Sequence, residues 1–192
     1  MQLIKTSVLA LLLFVGVQAT PVSAQTVVDI ALSDENFSAL VNAVVAQELV
    51  DTLNSEGPFT VFAPTNEAFA ALPGYVAAAL EANPALLSDI LLYHVVAGEL
   101  FAADVLTKKN LTTVEGGRVI VSSNTQGAFI NQSQLIATDV DASNGVVHVI
   151  DKVLIPDTVY RAALDAIRAE VRLLRDALRE IVKDRQANRS HN

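Results

Sequence analysis

The chain has 192 residues, no cysteine and a formal net charge of −8. Lacking cysteine, it can have no disulfide framework, thiolate metal site, cysteine nucleophile or lipid-modified cysteine. Charge is uneven: residues 25–156 carry 15 acidic against 4 basic side chains, and residues 157–192 carry 6 against 8. An acidic body argues against nucleic acid as a partner, because neutralising phosphates needs clustered Lys and Arg.

The first residues read as a cleavable export signal, Met1 to Ala24. Lys5 supplies the positive region, Ser7 to Val17 the apolar run, and Val22-Ser23-Ala24 the small side chains after Pro21. A transmembrane anchor needs about 20 apolar residues. This run is about half that, and no later stretch is long and apolar enough to span a bilayer, so no anchor is expected. The expected product is exported, periplasmic or secreted, and begins at Gln25. The missing cysteines, short signal and plain start fit a bacterial protein. The 168 residues that remain suffice for one domain with an ordinary apolar core.

From Asp34 to Leu53 apolar residues recur at helical spacing, and Asn54-Ser55-Glu56-Gly57-Pro58 ends the run. Phe59 to Ala63 reads as a strand with Phe59, Val61 and Phe62 in the core, and Pro64 stops it. Thr65 caps a helix over residues 66–69, and Thr65 and Asn66 are expected to satisfy backbone groups there. Two further helices follow, Tyr75 to Ala82 and Pro84 to Leu92, the second with Pro in its first turn. Beyond Tyr93-His94-Val95-Val96 the runs 111–114, 118–122, 128–131, 135–140 and 146–154 are strand-like, separated by Gly-containing turns. The fold class expected is α+β, with helices early, short strands later and antiparallel pairing between them. The run after Asn144-Gly145 is apolar on both faces, which places it centrally in a sheet.

Three ordered segments carry a resemblance. They are Gly57-Pro58-Phe59-Thr60-Val61-Phe62-Ala63-Pro64-Thr65-Asn66-Glu67-Ala68-Phe69, then Leu92-Tyr93-His94-Val95-Val96, then Asn144-Gly145-Val146-Val147-His148-Val149-Ile150-Asp151-Lys152-Val153-Leu154. Together they resemble the fasciclin domain, a family of extracellular adhesion and matrix modules, over about Thr26 to Pro156. The resemblance implies a β-wedge or sandwich flanked by several helices. It also implies partner recognition at Tyr93 and His94, and at Asp139 with Val140, where Val140 stands in place of the family's Ile.

Catalytic signatures are absent from the sequence. It has no Gly-x-Ser-x-Gly elbow, His-Glu-x-x-His helix or phosphate-cradling Gly-rich loop. His94, His148 and His191 are scattered without metal-ligand spacing, and the first two are expected as hydrogen-bonded, semi-buried residues. Asp139 and Asp141 form a paired-carboxylate candidate, which solvation or calcium explains equally well. No cofactor and no metal are expected.

The tail from residue 157 to 192 reads as a heptad-patterned helix that frays after Asp184. Leu164, Val171 and Leu178 occupy one core column, and Ile167, Leu174 and Ile181 the other. Glu170 and Arg175 fall where parallel chains exchange a charge pair, and a stripe of Arg168, Arg172, Arg175, Arg179 and Lys183 runs alongside. The seam is expected to self-associate, with an anionic surface or the acidic body as competing partners for the stripe. The sequence thus reads as signal 1–24, fasciclin domain 25–156 and tail helix 157–192. The expected function is non-catalytic adhesion or matrix and envelope interaction with a protein or cell-surface partner. The alternative is a small-ligand- or metal-binding envelope protein, or less readily an enzyme, with a pocket near Tyr93 and His94.

Overall fold

In the computed structural model, which describes residues 25–189, the strand of the first box lies beside the strand of the last. Both are apolar on both faces, so each needs cover from two sides, and the middle of a sheet provides it. Strand β1 (Phe59–Pro64) pairs in parallel with β7 (Gly145–Ile150), from Phe59 opposite Gly145 to Pro64 opposite Ile150. The remaining strands are β2 (Val95–Ala97), β3 (Asn110–Thr112), β4 (Arg118–Asn124), β5 (Gly127–Ile130) and β6 (Ser133–Ala142). Among the described residues they complete a seven-stranded wedge in the order β2-β1-β7-β6-β5-β4-β3. Every other pairing is antiparallel, so the expected antiparallel rule holds except at the centre.

The long helix expected over residues 34–53 is divided. Helix α1 (Val27–Ser33) starts earlier, from a capping box in which Thr26 Oγ1 accepts from Asp29 N and the Asp29 carboxylate accepts from Thr26 N. Asp34 is extended, and its carboxylate accepts from Asn36 N to start a 3-10 turn over Glu35–Phe37. Helix α2 (Ser38–Ala46) is parted from α3 (Val50–Leu53) by Glu48, whose φ is +56°. Then come α4 (Asn66–Ala70), α5 (Gly74–Ala82), α6 (Ala85–Tyr93) and α7 (Ala102–Thr107). Thr65 Oγ1 accepts from Ala68 N, and Asn66 accepts from Ala39 N while donating to Glu35 O, so both residues satisfy backbone as expected.

Helices α1–α3 cover one face of β1 and β7, burying Phe37, Leu40, Val44 and Leu53 against Val61, Ala63 and Val147. Phe62 and Ile150 point the other way, into a second core with Val105, Val119 and Ile130. A third core joins Ala68, Val76 and Ile90 to Val159, near the start of α8 (Asp157–Arg189). That helix continues past Asp184, where fraying was expected. The strand expected over residues 146–154 ends at Ile150, and the chain leaves the sheet there to reach α8. The export signal assigned to Met1–Ala24 lies outside the described residues.

The box ends interlock. Asn144 accepts from Val27 N and donates to Leu53 O and Ser55 O, holding the β6–β7 turn against α1 and α3. Phe59 N donates to Asn144 O at 2.9 Å. At Gly57, with φ +37°, a Cβ would strike that same Asn144 oxygen. Only residues without side chains let the two backbones approach this closely.

Candidate functional site

The Tyr93-His94 element lies where α6 runs into β2, and both side chains turn inward. Tyr93 is buried; its hydroxyl donates to Arg118 O at 2.7 Å and accepts from the Asn131 amide at 3.3 Å. Burial raises the pKa of its phenol, opposed by the Asn131 hydrogen bond. His94 is also buried. Its Nε2 accepts from Leu154 N at 2.9 Å, which fixes the tautomer so that Nδ1 donates to Ile90 O at 2.7 Å. Burial lowers its pKa to about 4, so the ring is neutral at pH 7.

The Asp139-Val140 pair sits in a β-bulge of β6. Ala137 pairs with Val149 and Val140 with Val147, so Thr138 and Asp139 together oppose His148. The bulge turns Asp139 to φ +60° and leaves it exposed. Its backbone N–H donates to His148 Nδ1 at 3.2 Å, and its Oδ1 accepts from Ala102 N at 2.7 Å. The carboxylate thus supplies the cap that α7 lacks locally, because its own N-cap residue is Phe101. His148 is fully buried, donates from Nε2 to Leu100 O at 2.8 Å, and has its pKa lowered by burial. Thr60 completes this strap over β1, accepting from Leu100 N and donating to Gly98 O.

Tyr93 and His94 are therefore set within hydrogen-bonded packing, and Asp139 joins β6 to α7. These residues do not converge on one cleft. Among the described residues no group of three or more His, Asp or Glu is placed to hold a metal ion, and no buried side-chain polar atom lacks a hydrogen-bond partner.

Cavities of the body offer the remaining candidates. An apolar one of about 140 Å³ lies under α1–α3, lined by Val28, Phe37, Val44, Leu53, Val61 and Val147 among others. The larger, an open groove of about 570 Å³, has Tyr93 on its wall with Arg118, Ile120, Asn131, Lys152 and Tyr160. Arg118 and Lys152 are two of the four cations of residues 25–156. Asp157 lines the groove with them, so it is amphoteric with a cationic bias. Reading the sequence alone missed this groove, although the scarcity of Lys and Arg in the body made those two residues distinctive. Tyr93→Phe is expected to lower stability by about 1 kcal/mol, read as a lower urea midpoint, because Arg118 O and Asn131 lose their shared partner.

Among the described residues of α8, only those of the first turns meet the body. Val159 and Ala163 are buried, and the Tyr160 ring packs on Tyr75. Leu164, Ile167, Val171, Leu174, Leu178 and Ile181 all lie exposed.

A family model described as the fasciclin domain matches residues 35–156. Protein sll1483 of Synechocystis sp. (strain ATCC 27184 / PCC 6803 / Kazusa) is 46% identical over 141 residues, covering 72% of this chain and 78% of that protein. Transforming growth factor-beta-induced protein ig-h3 of Oryctolagus cuniculus is 42% identical over 137 residues, 71% of this chain and 20% of its own length. Among solved structures, a FAS1 domain pair from the insect cell adhesion molecule fasciclin I superposes with a TM-score of 0.54 at 20% identity. It covers 70% of this chain and 52% of that one.

Proposed function

The chain belongs to the fasciclin domain family, and from that premise we propose that it is an exported binding module for adhesion or for matrix and envelope interaction, without catalysis. The observation that carries this reading is the division of labour between interior and surface. The ionisable groups of the boxes, Tyr93, His94 and His148, each make hydrogen bonds inside the body. The open groove beside Tyr93 instead presents cations, amide and aromatic surface to solvent. Such a mixture suits a partner segment that carries a carboxylate next to an apolar side chain. Tyr93, His94, Asp139 and Val140 serve recognition indirectly, by positioning the groove wall and the strap over β1. Adhesion, named for the insect molecule whose domain pair shares this fold, is the setting that such a module fits.

The test is affinity capture from cell envelope and culture medium, comparing the chain with an Arg118→Glu/Lys152→Glu variant. The expected result is a protein recovered by the first and lost with the second. Equal recovery by both, or by uncoated beads, would remove the groove as the binding surface. A small-ligand reading is favoured by one observation, the 140 Å³ apolar cavity, whose size matches engineered cavities that stay dry and take up benzene.

A further inference from the structure

We propose that α8 assembles the chain into a parallel bundle of three or four copies. This goes beyond the binding role of the body and does not depend on it. Helix α8 has 33 residues, about 50 Å at 1.5 Å per residue. From Leu164 to Val182 its apolar stripe is exposed, with Val171 at 58% and Leu178 at 62%. Something must cover it.

The body cannot, because residues 157–189 contain neither Gly nor Pro at which the helix could turn back. A lipid surface fits poorly as well. From Arg161 to Lys183 the cations lie on one flank of the stripe, Arg185 falls at the a position where the apolar seam ends, and several of the flanking cations are already paired along the helix. Arg168 lies 2.9 Å from Asp165, Arg179 3.5 Å from Asp176, and Lys183 3.4 Å from Glu180. A second copy fits both the stripe and its flanks. With Leu164, Val171 and Leu178 at a and Ile167, Leu174 and Ile181 at d, one flanking column (e) reads Arg168, Arg175, Val182. The other (g) reads Ala163, Glu170, Ala177, Asp184.

Those flanks choose an orientation. In a parallel bundle each g residue meets the e residue five positions on in the next copy. Glu170 then faces Arg175, and Ala177 faces Val182, an apolar pair beside an ion pair. An antiparallel arrangement puts Arg168 beside Arg175 of the other copy, with like charges opposed. The core columns choose a number. Leu at a followed by Ile at d favours more than two strands, and this order holds in the first and third heptads. Only the middle heptad, Val171 with Leu174, has the order that favours two. Val182 next to Ile181 widens the stripe beyond what a two-stranded seam covers. All bodies then sit at one end of the bundle, where weak sites act together.

Sedimentation equilibrium of the full chain is expected to give a concentration-dependent mass three to four times that of one chain. A Leu174→Asp/Leu178→Asp variant is expected to give a single-chain mass with unchanged thermal unfolding of the body. A wild-type mass of two chains would overturn the stoichiometry. A single-chain wild type would overturn self-association, and its binding to phosphatidylglycerol vesicles would pass the stripe to lipid. Because the chain has no cysteine, Ile181→Cys introduces one thiol per copy. Oxidation is expected to link copies through it, whereas in an antiparallel pair the thiols would stand about 25 Å apart. Failure to link would overturn the parallel orientation. Capture by the groove and mass through the tail are read separately, so either proposal can fail alone.

Discussion

Gly145→Ala is expected to lower the unfolding free energy by about 3–5 kcal/mol, a large part of what holds an ordinary domain folded. Gly145 opens β7 at φ +154°, directly across from Phe59, which opens β1. A Cβ there would fall on the Phe59 carbonyl oxygen and within 2.7 Å of its carbonyl carbon. Backbone cannot swing aside as the tip of a flexible side chain can. The two strands would have to part where Phe59 N donates to Asn144 O, and the cores on both faces of the sheet would loosen with them. Gly74→Ala is the control. At the open start of α5 an added Cβ meets nothing within 4 Å, and no loss is expected. Urea unfolding of both variants separates the close approach from any general effect of adding a methyl group. A loss under about 1 kcal/mol at Gly145 would show that β1 and β7 tolerate separation at this point.

That contact also marks what was legible in the sequence. The strand pattern of Phe59 to Ala63 and the turn at Asn144-Gly145 are local features, and periodicity and turn chemistry reveal them. Their parallel pairing joins residues 86 positions apart in number, Phe59 to Gly145, and no local rule reports it. Helix α7 escaped notice for a related reason, since its cap arrives from Asp139 in another strand. The break inside residues 34–53 turned on Asp34 and Glu48, both compatible by composition with a continuing helix. The tail is the opposite case. Its heptads are read along a single helix, and the helix runs unbroken from Asp157 to Arg189. The groove was hidden because Tyr93, Arg118, Lys152 and Tyr160 come from four separate elements or loops. The resemblance drew attention to Tyr93, which lies on the groove wall, and to His94, whose side chain faces the interior.

Acidification is the second large effect, and His94 is its main source. In the unfolded chain this imidazole takes up a proton near pH 6.5, but in the folded chain only near pH 4. Between those values the unfolded state binds more protons, so stability falls as pH drops through that window. The loss amounts to roughly 3 kcal/mol by its lower edge and does not grow further below it. His148 shifts in the same direction, also through burial, and steepens the fall. Asp29 contributes below the window, because its hydrogen bonds from Thr26 lower its pKa from the ordinary value. The check is a set of urea midpoints at pH 7, 5.5 and 4.5, repeated for His94→Gln. Gln retains one donor for Ile90 O and one acceptor for Leu154 N without a titrating ring, so its profile is expected to be flatter. Equal slopes in both proteins would assign the acid sensitivity elsewhere. The site of the effect matters as much as its size. Protonated His94 can no longer accept from Leu154 N, and Leu154 lies between Lys152 on the groove wall and the first turn of α8. Acid is therefore expected to loosen the segment that shapes the binding groove and anchors the tail helix to the body.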